Sequence, residues 1–191
     1  MNFVVALNAE ARPLIDHFSL KLLNKKSEYK IYTNSSMYLV ITGIGKDNCY
    51  KGCQYLHHTV KECSDTWINF GLAGHRFLPV GSLRQVNRVC DKQSEKIHYL
   101  NCRFEELCET ADVMTVDKAE VDFSEDHLYD MEATAFVDIC TRLSSVERLQ
   151  CIKIVSDNFI NPAVRLSHSV IYQLISEHFP IIDKLVEKWR H

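Results

Sequence analysis

Short apolar segments rich in β-branched residues alternate along the chain with segments of helical periodicity. The first kind predicts strands and the second predicts helices. The final helical segment contains Pro180, where we expect a kink or a break. The alternation favours one α/β domain over residues 1–191, with a three-layer, mixed and largely parallel sheet flanked by helices. Strands are expected at 3–7, 29–33, 38–42, 66–70, 83–90, 113–116 and 150–156, and helices at 10–18, 47–63, 131–143 and 165–189.

The charge of the chain argues against two classes of partner. With a formal net charge of -3, the surface has no general attraction for nucleic acid or for anionic membranes. The first residues lack a basic leader, and no uncharged apolar stretch reaches the roughly 18 to 20 residues of a membrane-spanning helix. We therefore expect a cytoplasmic protein whose partner is a small molecule.

Eight cysteines are present, and they are expected to be reduced thiols. No two of them form a C-x-x-C pair, and the nine histidines show no spacing typical of metal ligands. We predict no metal site. A cysteine- or serine-dependent hydrolase is also disfavoured, because the G-x-S-x-G motif is absent.

Polar or glycine-rich residues follow three of the predicted strands. They are Asn8 and Glu10 after the first strand, residues 71–75 after the fourth, and Ser156 with Asp157 at the end of the last. In open α/β sheets, ligands bind beyond the carboxyl ends of the strands, where such residues meet. This pattern predicts a binding crevice at that edge of the sheet.

Each of these residues, taken singly, has two interpretations. Asp157 can act as an acid, because a carboxyl at the end of an apolar strand has a raised pKa, or it can cap the following turn. Glu132 and Glu10 lie at helix starts, where they can bind a ligand or stabilise the helix dipole. The glycines at 71 and 74, and those at 43 and 45, can admit a ligand close to the backbone or simply form turns.

Five segments, taken together, change this balance. The chain resembles the purine nucleoside phosphorylase and nucleosidase superfamily, and most closely its methylthioadenosine and adenosylhomocysteine nucleosidase branch. The segments occur in the family's order and span most of the chain: VVALNAEARPL, ITGIGKDN, NFGLAG followed by PVG, DMEATAF and IKIVSDN. The resemblance implies a phosphorylase/hydrolase-like fold, cleavage of an N-glycosidic bond and a homodimer or larger oligomer.

The resemblance also implies roles around the base of a nucleoside. Asp157 matches the family's acid and is expected to donate a proton to a ring nitrogen of a purine-like leaving group, while Ser156 orients it. Lys153 stands four residues before the acid, where the family's hydrolases often have arginine. It keeps the positive charge but lacks the fork geometry of arginine, and we expect it to contact the substrate.

A second group of residues is expected around the sugar. Glu132 matches the family's ribose-binding glutamate and would place negative charge beside a cationic sugar. Met131 would pack on the sugar face, and Ala73 and Gly74 would line the pocket. Glu10 matches the glutamate that activates water in the hydrolytic branch.

Several features depart from the family pattern. The region 91–129 is short, and the loop at 115–119, which usually supplies an aromatic ring against the base, contains none. His75 and Arg76 follow the glycines where many members have small residues. His75 is either a ligand contact or a solvated loop residue, and we favour the second interpretation.

The sequence is compatible with two functions from different classes. The first is an enzyme that cleaves a purine-type nucleoside, for which we favour hydrolysis. Phosphorolysis would take phosphate as a co-substrate and would need a site built from cations such as Arg12, Lys46, Arg76 or Lys153. No other cofactor is expected. The second function is a nucleoside-binding or scaffold protein that has lost turnover on the same fold.

Overall fold

The computed structural model describes residues 1–23, 28–34, 36–60, 64–102, 104–119, 123–162 and 166–189. These residues form a mixed sheet and five α-helices, with a short 3-10 helix at Val146–Arg148. The strands are β1 (Asn2–Val5), β2 (Lys21–Leu22), β3 (Lys30–Thr33), β4 (Tyr38–Ile41), β5 (Trp67–His75), β6 (Leu83–Asp91), β7 (Ile97–Tyr99), β8 (Thr110–Thr115), β9 (Leu128–Asp130) and β10 (Leu149–Asp157). The helices are α1 (Asn8–His17), α2 (Lys46–Thr59), α3 (Ala133–Leu143), α4 (His168–Ser176) and α5 (Phe179–Trp189).

The sheet is partly closed on itself. Its order is β10-β6-β8-β9-β5-β1-β4-β3-β2, β7 pairs with β6, and β10 also pairs with β5. The strands β10, β6, β8, β9 and β5 therefore form a ring, from which the other strands extend as an open sheet. Among the described strands, five pairings are parallel and five are antiparallel. The mixed α/β prediction is confirmed, and the closure of the ring is an addition to it.

Apolar side chains cover both faces of the sheet. On one face, α2 and α3 contribute buried residues that pack on the strands: Cys49, Cys53, Leu56, Phe136, Val137, Ile139 and Cys140. On the other face, α1, α4 and α5 contribute Ala11, Leu14, Ile15, Ile171, Ile175, Ile182, Leu185, Val186 and Trp189. Burial of a large apolar side chain stabilises a fold by about 1.5–3 kcal/mol. The two layers of helices on one sheet confirm the three-layer architecture.

The long C-terminal segment forms two helices. Helix α4 ends at Ser176 and α5 begins at Phe179, so Pro180 lies in the first turn of α5. Proline is tolerated there because the first turn has no intrahelical partner for its missing N–H. The predicted break is confirmed. The predicted start of this segment at residue 165, and the predicted end of the second helix at residue 63, lie outside the described residues.

The glycine segment at 71–74 differs from its prediction. It was expected to be a loop, but it continues β5 as far as His75. Strand β10 runs parallel to it, with Lys153 opposite Gly71 and Val155 opposite Ala73. This long neighbour supplies the backbone partners that a loop would lack, so the glycines remain extended.

Seven cysteines lie in the described residues, and none of these seven is part of a disulfide. Six of them are buried and Cys102 is partly buried, while Cys63 lies outside the described residues. Burial raises the pKa of Cys102 and Cys151 to about 12, so both remain protonated at neutral pH. In the described part of the chain, no helix combines the length and apolar character needed to cross a membrane.

Candidate active site

The three predicted carboxyl groups, those of Glu10, Glu132 and Asp157, line one cavity of about 250 Å³ together with a fourth, that of Asp130. We call it the three-acid cavity after the first three. Glu10 is the third residue of α1, Glu132 immediately precedes α3, and Asp157 is the last residue of β10. The rest of the described wall combines small, apolar and polar residues: Ala6, Leu7, Ile44, Leu72, Ala73, Gly74, Val116, Ala119, Phe123, Tyr129, Met131 and Ser156.

Glu10 connects the start of α1 to β5. Its Oε2 accepts a 3.0 Å hydrogen bond from the amide of Leu7, and its Oε1 accepts a 2.9 Å hydrogen bond from the amide of Leu72. The residue is buried, and burial raises its pKa, although these amides and Lys153 oppose the rise. Gly71 provides room for the carboxyl, because a Cβ at that position would lie 3.3 Å from Oε1.

Glu132 is held by the turn that begins α2. The amide of Gly45 donates a 2.7 Å hydrogen bond to its Oε1. Gly45 has φ +97° and ψ 161°, a conformation that is essentially restricted to glycine. Burial, with the nearby charge of Asp130, raises the pKa of Glu132 to about 7. Within the described residues, Oε2 has no hydrogen-bond donor, so this oxygen can accept from a ligand.

Asp130 organises the segment that carries Glu132. Its Oδ2 accepts a 2.9 Å hydrogen bond from the amide of Ala133, and its Oδ1 accepts a 2.9 Å hydrogen bond from the hydroxyl of Thr115. The Thr115 oxygen in turn accepts a 3.1 Å hydrogen bond from the amide of Thr134. These bonds fix the first turn of α3, and thereby the backbone on which Glu132 sits.

The structure corrects the role expected for Lys153. Its side chain is buried, and its Nζ lies 2.8 Å from Oδ2 of Asp130 instead of lining the three-acid cavity. Burial by itself would lower the pKa of Lys153, but Asp130 and the other nearby acids outweigh this effect and raise it. The charge of Lys153 lowers the pKa of both Glu10 and Glu132. Lys153 therefore lies behind the cavity wall, where its positive charge favours the ionised forms of Glu10 and Glu132.

Asp157 ends β10 beside Ser156. The Ser156 hydroxyl donates to Oδ1 of Asp157 and lies 3.3 Å from the carbonyl oxygen of Ala73. Burial raises the pKa of Asp157, which is half-buried. The capping interpretation of Asp157 is wrong, because Asn158 caps the following turn. Its Oδ1 accepts from the amides of residues 160 and 161 at 3.1 and 2.7 Å.

An aromatic ring that the sequence did not predict forms part of the cavity wall. Phe123 is 2% exposed and has φ +30°. Its ring packs on Gly74, where a Cβ would lie only 2.6 Å from Cζ, and its centroid is 5.4 Å from that of Tyr129. The loop at 115–119 contributes Val116 and Ala119, as expected without a ring, and the ring comes from farther along the chain. A lone phenylalanine in a mostly polar stretch was the available signal.

The remaining predicted residues divide between the cavity and its surroundings. Ala73, Gly74, Met131 and Ser156 line the cavity, whereas His75 and Arg76 do not. Arg76 donates a 3.2 Å hydrogen bond to the carbonyl of Ser124. The favoured interpretation of His75 as a solvated loop residue is wrong, because the residue is buried at the end of β5 and its ring lies within its own turn. In the described ranges, no three His, Cys, Asp or Glu side chains are grouped so that they could hold a metal ion.

This arrangement can carry out acid–base chemistry on a compact, partly apolar ligand. Carboxyls with raised pKa can exchange protons near neutral pH, and an aromatic ring beside them offers a flat apolar surface. The volume lies just below the roughly 300–1,000 Å³ typical of ligand pockets.

No protein-family model and no curated protein sequence matches the chain. Solved structures do match it. The 5′-methylthioadenosine nucleosidase of Arabidopsis thaliana has a TM-score of 0.80 at 17% identity, with 98% of this chain and 94% of that chain covered. The 5′-methylthioadenosine/S-adenosylhomocysteine nucleosidase of Campylobacter jejuni has a TM-score of 0.77 at 15% identity, with 98% of each chain covered.

A third match is a futalosine hydrolase mutant of Helicobacter pylori, with a TM-score of 0.73 at 10% identity and 98% of each chain covered. The matches extend over nearly the whole length of both partners, so the likeness concerns the entire fold. The chain therefore has the fold of the 5′-methylthioadenosine nucleosidases, as the sequence resemblance implied.

Proposed function

We propose that the chain is a nucleosidase, which uses water to cleave the N-glycosidic bond of a purine-type nucleoside. The observation that carries this proposal is the meeting of Glu10, Glu132 and Asp157 on the wall of one cavity. The similarity of the fold to solved nucleosidases supports it.

Asp157 acts on the base. A purine leaves poorly as an anion, so the C1′–N bond breaks as the carboxyl of Asp157 transfers its proton to a ring nitrogen of the base. The raised pKa of Asp157 and its half-buried position support this role. Ser156 orients the carboxyl through its hydroxyl. The ring of Phe123, beside Gly74 and Asp157, stacks on the base.

Glu132 acts on the sugar. Its Oε2 accepts hydrogen bonds from ribose hydroxyls, and its negative charge stabilises the cationic sugar that forms as the base departs. This charge is effective because the residue is only 8% exposed. Met131, on the same wall, packs against the sugar.

Glu10 acts on water. As water attacks C1′, a new C–O bond forms and the carboxylate of Glu10 accepts the released proton. The raised pKa of Glu10 makes its carboxylate a stronger base than an exposed one. Both of its oxygens accept hydrogen bonds from backbone amides, which hold the carboxylate in one orientation.

The cations that could bind phosphate already have partners, which supports water over phosphate as the nucleophile. None of the described residues that line the cavity is a lysine or an arginine. Lys46 binds Asp91 and Asp117, and Arg12 binds Asp16 on the surface. Lys153 and Arg76 are likewise occupied with Asp130 and Ser124. A site for phosphate would have to break these contacts.

A nucleoside-binding protein without turnover is less well supported. The short region 91–129 and the lack of an aromatic residue at 115–119 favour that function, and the ring of Phe123 on the cavity wall counters the second of these two arguments. We also propose a homodimer in the cytoplasm, and light scattering of the purified chain tests the dimer.

The experiment that tests the proposed function is a screen for release of free base. Candidate substrates are the compounds named for the matched proteins, namely 5′-methylthioadenosine, S-adenosylhomocysteine and futalosine, together with adenosine and inosine. We expect base release without phosphate and no increase when phosphate is added. Release that requires phosphate would indicate phosphorolysis, and binding by calorimetry without release would indicate a binding protein.

A further inference from the structure

The ring of His75 closes a turn at the end of β5. Its Nδ1 accepts hydrogen bonds of 3.0 Å from the amides of both Phe77 and Leu78. A ring nitrogen that accepts two amides carries no proton, so the proton of the neutral ring is on Nε2. That nitrogen lies 3.3 Å from Oδ1 of Asp126. His75 is 4% exposed, although it does not line the three-acid cavity.

This turn is attached to the end of β10 immediately after Asp157. The side-chain amide of Asn158 donates a 2.9 Å hydrogen bond to the carbonyl of Leu78, and the amide of Phe159 donates a 3.3 Å hydrogen bond to the carbonyl of Arg76. The contacts connect the β5–β6 loop to the residues that follow the carboxyl.

The same loop holds β10 immediately before Asp157. The amide of Val155 donates a 2.9 Å hydrogen bond to the carbonyl of Ser82, and the amide of Gly81 donates a 2.8 Å hydrogen bond to the carbonyl of Val155. Between these two attachments, the register of β10 against β5 shifts by one residue. The position of Asp157 therefore depends on the loop at 76–82.

We propose that His75 is a positioning residue for Asp157. Its unprotonated Nδ1 holds the turn to which Asn158 is attached, and Asn158 in turn fixes the end of β10. The inference rests on the proposed function, in which Asp157 donates a proton to the base. It extends that function to a residue that touches neither the cavity nor the substrate.

The role requires a neutral ring, since a proton on Nδ1 would displace both amides. Burial lowers the pKa of His75, which favours the neutral form, while Asp126 opposes this effect. The charged and titratable groups that face the ring in the described residues come from several elements: Arg84, Asp126 and His127, with Glu105, Glu109 and Asp112 in the same crevice.

Two variants separate the acceptor from the bulk of the ring. In His75→Asn, Oδ1 is bonded to Cγ as Nδ1 is, and asparagine forms the same kind of turn with the amides two and three residues ahead. In His75→Leu, bulk is kept and the acceptor is lost. Each full-length variant is measured for kcat and KM in base release, and for amide hydrogen exchange at Phe77, Leu78, Phe159 and Asn161.

We expect His75→Leu to lower kcat at least about tenfold with KM within about twofold, because a misplaced acid affects the chemical step. It should also speed exchange at all four amides. His75→Asn should restore kcat to within about threefold of the wild type. The proposal is overturned if His75→Leu keeps the wild-type kcat, or if His75→Asn loses as much as His75→Leu.

The hydrogen-exchange measurement tests the proposal even if the protein has no nucleosidase activity. If the wild type cleaves no nucleoside, the proposed function fails, and faster exchange at Phe159 and Asn161 in His75→Leu still supports the coupling. Unchanged exchange at these two amides contradicts it. If the leucine variant does not fold, nitrogen NMR of the wild-type ring decides: a proton on Nε2 at neutral pH supports the proposal, and a proton on Nδ1 overturns it.

Discussion

The ring of Phe123 packs directly on the backbone of Gly74. Gly74 is paired with Asp157 in the sheet, and a Cβ on Gly74 would lie 2.6 Å from Cζ of Phe123 and 3.2 Å from Oδ2 of Asp157. Gly74 therefore sets the distance between the ring of Phe123, on the wall of the three-acid cavity, and the carboxyl of Asp157.

The first prediction concerns Gly74→Ala. The added methyl group must displace the ring or the strand, so we expect a loss of stability of about 1–3 kcal/mol and slower base release. Urea denaturation and kcat measure the two effects. The control places the same change in a Phe123→Ala background, where the methyl group has room. An equal loss of stability in both backgrounds would show that the ring contact is not the cause.

The second prediction concerns the pH dependence contributed by Glu132. Its pKa is raised from 4.5 to about 7, so the folded protein holds a proton that the unfolded chain releases. The stability associated with this proton is complete below about pH 4.5 and is lost as the pH rises through about 7. Across that window, wild type should lose up to roughly 3 kcal/mol relative to Glu132→Gln.

Denaturation of both proteins at several pH values tests this second prediction. Glu177→Gln, which alters an exposed carboxyl after α4, is the matched control and should follow the wild type. Parallel curves for wild type and Glu132→Gln would contradict the prediction. Base release by wild type should also fall below about pH 7, since the proposed role of Glu132 needs the carboxylate.

The third prediction concerns the buried pair of Lys153 and Asp130. Lys153→Met leaves the carboxylate of Asp130 without its cation, which should cost about 3–5 kcal/mol of unfolding free energy. The double variant with Asp130→Asn should recover part of this loss, because asparagine still accepts from the amide of Ala133. In addition, removing the lysine charge should raise the pKa of Glu132 and move the acid limb of the activity profile to higher pH.

Thermal or urea denaturation of the two variants checks this third prediction. A Lys153→Met protein as stable as the wild type would show that the ion pair contributes little. A double variant less stable than Lys153→Met would show that Asp130 acts chiefly by another contact.

Local patterns were sufficient to predict the elements that carry the acids. Asp157 ends a nine-residue, largely apolar strand, and Glu10 and Glu132 lie at helix starts. The ends of these strands and helices depend on residues that are neighbours in sequence. The short strands β2, β7 and β9, of two or three residues, were missed because they contain too few residues to show alternation. One of them, β9, pairs with β5, which lies more than 50 residues earlier in the chain.

The surroundings of the acids depend on contacts that sequence patterns do not encode. Phe123 reaches the cavity from an irregular segment with a positive φ, so no periodicity indicated its place. Lys153 was expected at the substrate because the resembled family often has arginine at that place, but a buried ammonium needs a carboxylate, and Asp130 provides it. The partner lies 23 residues away in the chain, a separation that no local rule covers.

The most direct test of the central claim compares the wild type with Asp157→Asn for binding and for base release from the same nucleoside. If Asp157 donates the proton to the leaving base, the variant should bind with an affinity within a few-fold of the wild type, while kcat falls by about 10²–10⁴-fold. A variant that binds and still releases base at the wild-type rate would contradict the account.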